Sequence, residues 1–268
     1  MPIVEVDGLQ INYDVQGTGE PLLLIPYLSA DHACYAFQLP AYTEHFRCVA
    51  LDLPGTGESS KPPGPYSTEK YADLVAAFLH AVGIERAHVA GVSLGGAVAM
   101  HLAARHPHRV RSLSLHSTWH RTDAYLASVV ALWRTLASTL PTIADVVIQA
   151  IFPLAFTPEM YVERPEFVTS LADFVRSRPA QPREAFLAQT EAVLAHDCSG
   201  ALGEIRAPTL ITFGAHDLIC SPRFAKPLTS GISHSDLVIF DHLSHAGLHE
   251  DPDTFNRTTL HFLQQHHS

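Results

Sequence analysis

Ala87-His88-Val89-Ala90-Gly91-Val92-Ser93-Leu94-Gly95-Gly96 decides the fold class of this chain. Its first six residues form a nearly continuous apolar run, the pattern of a parallel strand buried on both faces. Residues 94–105 are Ala-rich and stop at His106-Pro107, so they read as a helix. A serine set as Gly-x-Ser-x-Gly at such a junction occupies a strained backbone conformation, and its small neighbours let strand and helix close around it. The side chain then leaves the carboxyl edge of the sheet, where open α/β sheets place their sites. It also sits at a helix N-terminus, which favours developing negative charge. Ser93 is therefore the candidate nucleophile. A glycine-rich turn with an N-cap serine is the plain alternative.

Outward from this junction, strand and helix signals alternate. Residues 3–6 and 9–15 read as two strands around Asp7-Gly8, and 22–25, 48–51 and 113–115 as buried strands. Residues 37–45 read as helical. Ser67 starts a second helix, with apolar residues at 71, 74, 75, 78, 79 and 82 on one face and a stop at Gly83. Between 119 and 197 no strand signal stands out. Helical segments at 125–139, 143–152, 166–176 and 183–196 are separated by prolines. Alternation returns with strand 209–213, helix 222–228, strand 237–240 and helix 252–264. The expected fold is α/β, a mainly parallel sheet flanked by helices, with a helical cap inserted after the sixth strand. Residues 1–118 and 201–268 would form the core, and 119–200 the cap.

A serine needs a base, and the base needs an orienting acid. On such a sheet the chain order is Ser, then Asp or Glu, then His. Strand 209–213 runs into Gly214-Ala215-His216-Asp217, and strand 237–240 leads to Asp241-His242-Leu243-Ser244-His245. Ser93, Asp217 and His245 thus fall beyond the carboxyl ends of three strands, in the required order. Asp123, after the sixth strand, is a remote substitute for the acid.

The whole chain resembles the α/β-hydrolase superfamily, in the group with a helical cap. Asp52-Leu53-Pro54-Gly55-Thr56-Gly57-Glu58-Ser59, Gly91 to Gly96, Gly214 to Asp217, and His245 with Glu250-Asp251-Pro252 carry the resemblance. Within it, the first 110 residues are similar to 3-oxoadipate enol-lactonases and related carboxylesterases, as in Asp31-His32, Phe37-Gln38-Leu39-Pro40 and Pro63-Gly64-Pro65-Tyr66. The resemblance implies Ser93, Asp217 and His245 as nucleophile, acid and base, with the Leu28 and Leu94 N–H groups binding the oxyanion. The superfamily usually has His-Gly after the strand at 22–25, whereas this chain has Pro26-Tyr27. Tyr27 is accordingly a candidate substrate contact, with simple packing as the alternative.

The expected reaction is hydrolysis of a carboxylic ester or lactone of a small, partly apolar molecule through an acyl-enzyme, with no cofactor. Trp119, Trp133, Phe152, Phe156, Met160 and Phe174 are available to shape an apolar pocket, and His116 and His120 to line it near Trp119. A cofactor-free haloperoxidase, an acyltransferase, a C–C bond hydrolase or a ligand receptor on the same fold stays open. Ser93 argues against relatives with an Asp nucleophile. Ala246 stands where C–C bond hydrolases typically have Trp.

Composition sets the outer bounds. Lys+Arg 17 against Asp+Glu 27 leaves a net charge of −10, with only Lys61, Lys70 and Lys226 as lysines, which argues against nucleic acid. No apolar run approaches the roughly 20 residues of a membrane helix. The first residues lack a basic and apolar leader pattern, and the four Cys form no C-x-x-C pair. A cytoplasmic protein with a small-molecule substrate, no nucleic acid and no membrane is the expectation. The 18 His raise the question of a metal. His116 and His120, or His242, His245 and His249, are spaced for one, but no H-E-x-x-H is present and none is expected.

Overall fold

Strand β5 (Ala87–Val92), buried at every position, lies inside an eight-stranded sheet in the computed structural model, which describes residues 1–267. The sheet order is β1 (Ile3–Val6), β2 (Leu9–Gln16), β4 (Phe46–Leu51), β3 (Glu20–Ile25), β5, β6 (Val110–His116), β7 (Thr209–Gly214) and β8 (Ser235–Phe240). β1 with β2 and β2 with β4 are antiparallel, and every later pair is parallel. Parallel neighbours cannot be joined by a tight hairpin, so each needs a crossover, and helices supply most of them.

Before β7 the helices are α1 (Leu39–Tyr42), α2 (Thr68–Ala81), α3 (Leu94–Arg105), α4 (Ala124–Ala137), α5 (Ile143–Val146), α6 (Phe152–Ala155), α7 (Pro158–Glu163), α8 (Pro165–Ser177) and α9 (Arg183–Ala195). After it come α10 (Ala225–Gly231), α11 (Gly247–Glu250) and α12 (Pro252–Gln265). Six of these, α4 to α9, fall between β6 and β7, so the insertion after the sixth strand is helical as expected.

The strand period of two divides the core between the faces of the sheet. Leu23 and Ile25 pack on one side with α2 and α3, while Leu22 and Leu24 pack on the other with α1 and α12. Both faces are covered, which is why residues 22–25 of β3 and most of β5 read as apolar runs. Each fully buried Leu or Val contributes about 1.5–3 kcal/mol relative to an exposed one.

Four helical segments differ from the pattern read off the sequence. Residues 37–45 form only the single turn α1, preceded by a tight turn over His32–Tyr35. The segment 143–152 is not one α-helix. It passes from α5 through a π-helical turn, Val147–Ile151, into α6. Pro153 lacks the N–H for an ordinary turn and its ring crowds the carbonyl four residues back, and the wider turn relieves this. The short helices α7 and α11 have no apolar periodicity long enough to read.

Six of the 18 histidines are buried: His32, His88, His101, His116, His196 and His249. Burial pushes His116 and His196 down to about 3 and His249 to about 4, and it also lowers His88. His88 Nδ1 lies 2.7 Å from Ser112 Oγ, and His196 Nδ1 lies 2.9 Å from Thr68 Oγ1. These rings are neutral when folded but take up protons on unfolding below about pH 6.5, so stability falls as pH drops through that value. Each such ring removes roughly 1.4 kcal/mol per pH unit between its unfolded and folded values. His32 acts in the opposite sense. Burial lowers its pKa, but the bond to Asp52 more than compensates, and its stabilising contribution fades as pH rises through the raised value. The lowered group outnumbers it. The urea midpoint should therefore fall clearly between pH 7 and pH 5, above the carboxylate range. An unchanged midpoint would contradict the burial of these rings as neutral species.

Candidate active site

Ser93 joins β5 to α3 with φ 53° and ψ −117°, a left-handed conformation that L-residues rarely hold. The junction is over-determined by its surroundings. Ser93 N donates to His116 O at 2.9 Å, and Thr118 Oγ1 donates to Ser93 O at 2.8 Å. A Cβ at Gly91 would meet the Gly95 carbonyl, and a Cβ at Gly95 would meet the Ile25 carbonyl. Both neighbours would be backbone atoms that cannot swing away. The two glycines are therefore required by close approach of strand and helix, as the motif predicts.

Asp217 follows β7 and His245 follows β8. Asp217 Oδ2 lies 2.8 Å from His245 Nδ1, while Asp217 Oδ1 accepts from the Ile219 and Cys220 N–H groups at 2.7 and 2.8 Å. One carboxylate oxygen thus fixes its own loop and the other holds the imidazole. The His245 loop is pinned on both sides. Ser244 N donates to Glu250 Oε2 at 2.6 Å, and Ala246 N donates to Ala155 O in α6 at 2.8 Å. Glu250 Oε1 also accepts from Thr157 N at 2.8 Å. Glu250 therefore ties this loop to the inserted helices, a role its bare presence in the sequence did not disclose.

Ser93 and His245 line one cavity of about 820 Å³, within the range of small-molecule sites. Its wall is mostly apolar and comes from both the sheet edge and the inserted helices. Trp119, Trp133, Phe152, Phe156 and Phe174 line it, as do Tyr27 and Leu28. Met160 is buried elsewhere in the insertion. Asp217 stands behind His245, and the Leu94 side chain is packed in the core at the start of α3.

Residues 20–252 match the α/β-hydrolase fold family. The chain belongs to that family. It is 32% identical over 263 residues to the "Putative carbamate hydrolase RutD" of Variovorax paradoxus (strain S110), covering 95% of this chain and 96% of that protein. To the protein of the same name from Azorhizobium caulinodans it is 29% identical over 265 residues, 98% of each chain. Among solved structures, the enol-lactonase from Burkholderia xenovorans LB400 superposes with a TM-score of 0.89 at 28% identity, covering 98% of this chain and 100% of that one. Est816, described as an N-acyl homoserine lactone degrading enzyme, gives 0.81 at 28% identity, covering 97% and 100%. The protein is a hydrolase of this fold.

One expectation about the hydrolase's other polar residues needs correction. His116 and His120 do not line the cavity. His116 ends β6 on the other side of the strand, with Nδ1 2.8 Å from Thr212 Oγ1 and its ring against Phe255. His120 stacks edge to face on Phe224 at 5.9 Å. Asp123 is the N-cap of α4 and pairs with Arg223 at 2.8 Å, while His245 turns to Asp217 instead. The histidines 242, 245 and 249 point to different partners: Asp251, Asp217 and Tyr27.

Among the described residues, Asp31, His32 and Asp52 bring three potential metal-ligand atoms together. Their oxygens are already engaged within the protein. Asp52 Oδ1 accepts from His32 N at 2.8 Å and lies 2.7 Å from His32 Nδ1, while Asp52 Oδ2 accepts from Asn12 Nδ2 and Glu58 N. Burial raises the Asp52 pKa, yet the His32 and backbone hydrogen bonds together outweigh it and hold the carboxyl below its ordinary value. Asp31 caps Ala33 and accepts from Arg178 Nε at 2.8 Å. The trio braces the loops after β3 and β4 and ties them to the residue after α8.

Proposed function

We propose that this hydrolase cleaves a carboxylic ester or lactone of a partly apolar small molecule through a serine acyl-enzyme. The observation that carries this reading is the Asp217–His245 pair set on the same cavity as Ser93. Ser93 Oγ attacks the carbonyl carbon while His245 Nε2 takes its proton. Asp217 holds Nδ1–H and so keeps Nε2 free to act as base. The Leu28 and Leu94 N–H groups stabilise the oxyanion. On collapse of the tetrahedral intermediate, His245 gives the proton to the departing alcohol oxygen. It then deprotonates water, which hydrolyses the acyl-serine and restores the hydroxyl. No cofactor enters the scheme, and residues 119–200 act as the cap that supplies the apolar wall. The reading places the enzyme in the cytoplasm.

The name shared by the curated relatives suggests a second reading, hydrolysis of a carbamate. The same residues would serve, because a carbamate presents the same type of carbonyl. Cavity size favours the first reading. A free carbamate has only a few heavy atoms, whereas about 820 Å³ of largely apolar space suits a molecule of drug-like size.

A panel of p-nitrophenyl esters of graded acyl length, simple lactones and an N-unsubstituted carbamate separates the two. Each buried methylene contributes about 0.8 kcal/mol. kcat/KM should therefore rise by up to about fourfold with each of the first few added carbons and fall once the chain outgrows the cavity. A rate highest on the carbamate and flat across the esters would overturn the ester reading.

A further inference from the structure

Tyr27 and His249 reach each other from distant parts of the chain. Tyr27 follows β3, directly before Leu28, and His249 lies in α11, four residues beyond His245. The Tyr27 Oη atom is 3.0 Å from His249 Nε2, and the rings stand edge to face at 6.1 Å. Both residues line the cavity that holds Ser93 and His245. Phe37 packs edge to face on the same imidazole at 5.7 Å, so an aromatic ring flanks the pair.

The hydrogen bond admits two proton arrangements. In the first, the phenol donates to Nε2, and the neutral imidazole carries its proton on Nδ1. In the second, Nε2–H donates to the phenol oxygen, and Nδ1 keeps a bare lone pair. His249 Nδ1 is buried and has no hydrogen-bond partner among the described residues. A buried N–H with no acceptor is rare in proteins, whereas an unused lone pair is better tolerated. The second arrangement is therefore favoured, and it leaves the Tyr27 hydroxyl proton uncommitted. Burial keeps the phenol protonated, raising its pKa well above the ordinary value, and keeps the imidazole neutral at about 4.

We infer that Tyr27 donates its hydroxyl proton to the substrate, with His249 as the positioning residue, and that the preferred substrate carries a second acceptor oxygen besides the scissile carbonyl. This deepens the ester or lactone reading and rests on it for the reaction, though not for the binding. A largely apolar wall that holds a buried donor discriminates against a ligand that leaves the donor unpaired. The chemistry selected is an ether, keto or hydroxyl oxygen on an otherwise apolar chain.

Trp119 and Trp133, the two tryptophans of the chain, both line the cavity, so their fluorescence reports occupancy without turnover. The probes are p-nitrophenyl hexanoate and its analogues with one methylene replaced by an ether oxygen at each position. Their nitrophenyl group quenches tryptophan. In the Ser93→Ala protein, one ether analogue should bind more tightly relative to hexanoate. Adding Tyr27→Phe should reduce that preference by about five- to tenfold, the scale of one net hydrogen bond. His249→Leu should reduce it as well, and His249→Gln, whose amide can donate, should restore part of it. In the Tyr27→Phe background, His249→Gln should change the preference no further. A preference untouched by Tyr27→Phe at every position would overturn the inference. Equal weakening of both ligand types would do the same, because it would place the hydroxyl on the shared carbonyl. Wild-type turnover of the same esters is followed in parallel. Ether preference without turnover would sink the hydrolysis reading and sustain this one.

Discussion

Ser93→Ala should lower kcat on an activated ester by about 10⁶-fold, the scale seen when a triad serine is removed. The substitution deletes one oxygen and little else. The elbow is held by the Ser93 N to His116 O and Thr118 Oγ1 to Ser93 O bonds, neither of which uses the Ser93 side chain. Alanine at φ 53° carries much the same backbone strain as serine. The variant should therefore fold with an unchanged urea midpoint and still bind ligand. Residual hydrolysis would reflect the oxyanion donors and binding, about 10³–10⁴ over water. A folded Ser93→Ala protein retaining a tenth of wild-type turnover would remove Ser93 from the chemistry.

The next largest effect is expected for Asp217→Asn, a loss of about 10⁴-fold in kcat. The amide oxygen can still accept from the Ile219 and Cys220 N–H groups, so the loop after β7 keeps its shape. The amide NH₂ then faces His245 Nδ1 and donates where the carboxylate accepted. This drives the imidazole proton to Nε2, the nitrogen that must be bare to take the serine proton. The loss should fall on kcat with KM little changed, and the melting temperature should separate it from misfolding. Activity within tenfold of wild type would assign the orienting role elsewhere.

The serine turn between strand and helix and the Asp217–His245 pair were legible because their physics is local. A Gly-x-Ser-x-Gly turn works only where a buried strand meets a helix, and β5 and α3 carry that meeting in ten consecutive residues. Asp217 and His245 were legible because each follows a short apolar strand whose end fixes its position at the sheet edge. The direction of His116 was not legible. The face a strand-end residue takes depends on register with β7, and one residue of slip reverses it. The π turn at Val147–Ile151 was equally hidden, since apolar periodicity continues across it while Pro153 forces the backbone wider. Glu250 and His249 act through partners from other segments, Thr157 and Tyr27, and 222 positions separate the latter pair. Such pairings exist only once the sheet has brought its loops together. The histidine excess is of the same kind: composition registers the count, and only burial shows that a few are interior rings held neutral.

The central claim is that Ser93 is the nucleophile, and covalent capture tests it most directly. When a fluorophosphonate ester is offered to the intact protein, the Ser93 oxygen should attack phosphorus and expel fluoride ion, its proton passing to His245, to leave one phosphonyl–serine bond per chain. Peptide mass spectrometry should find the added mass on the segment containing Ser93, in step with the loss of esterase activity. The Ser93→Ala protein should take up none, and His245→Ala should react far more slowly. Complete inactivation with the Ser93 peptide unmodified, or stoichiometric labelling of another residue, would contradict the account.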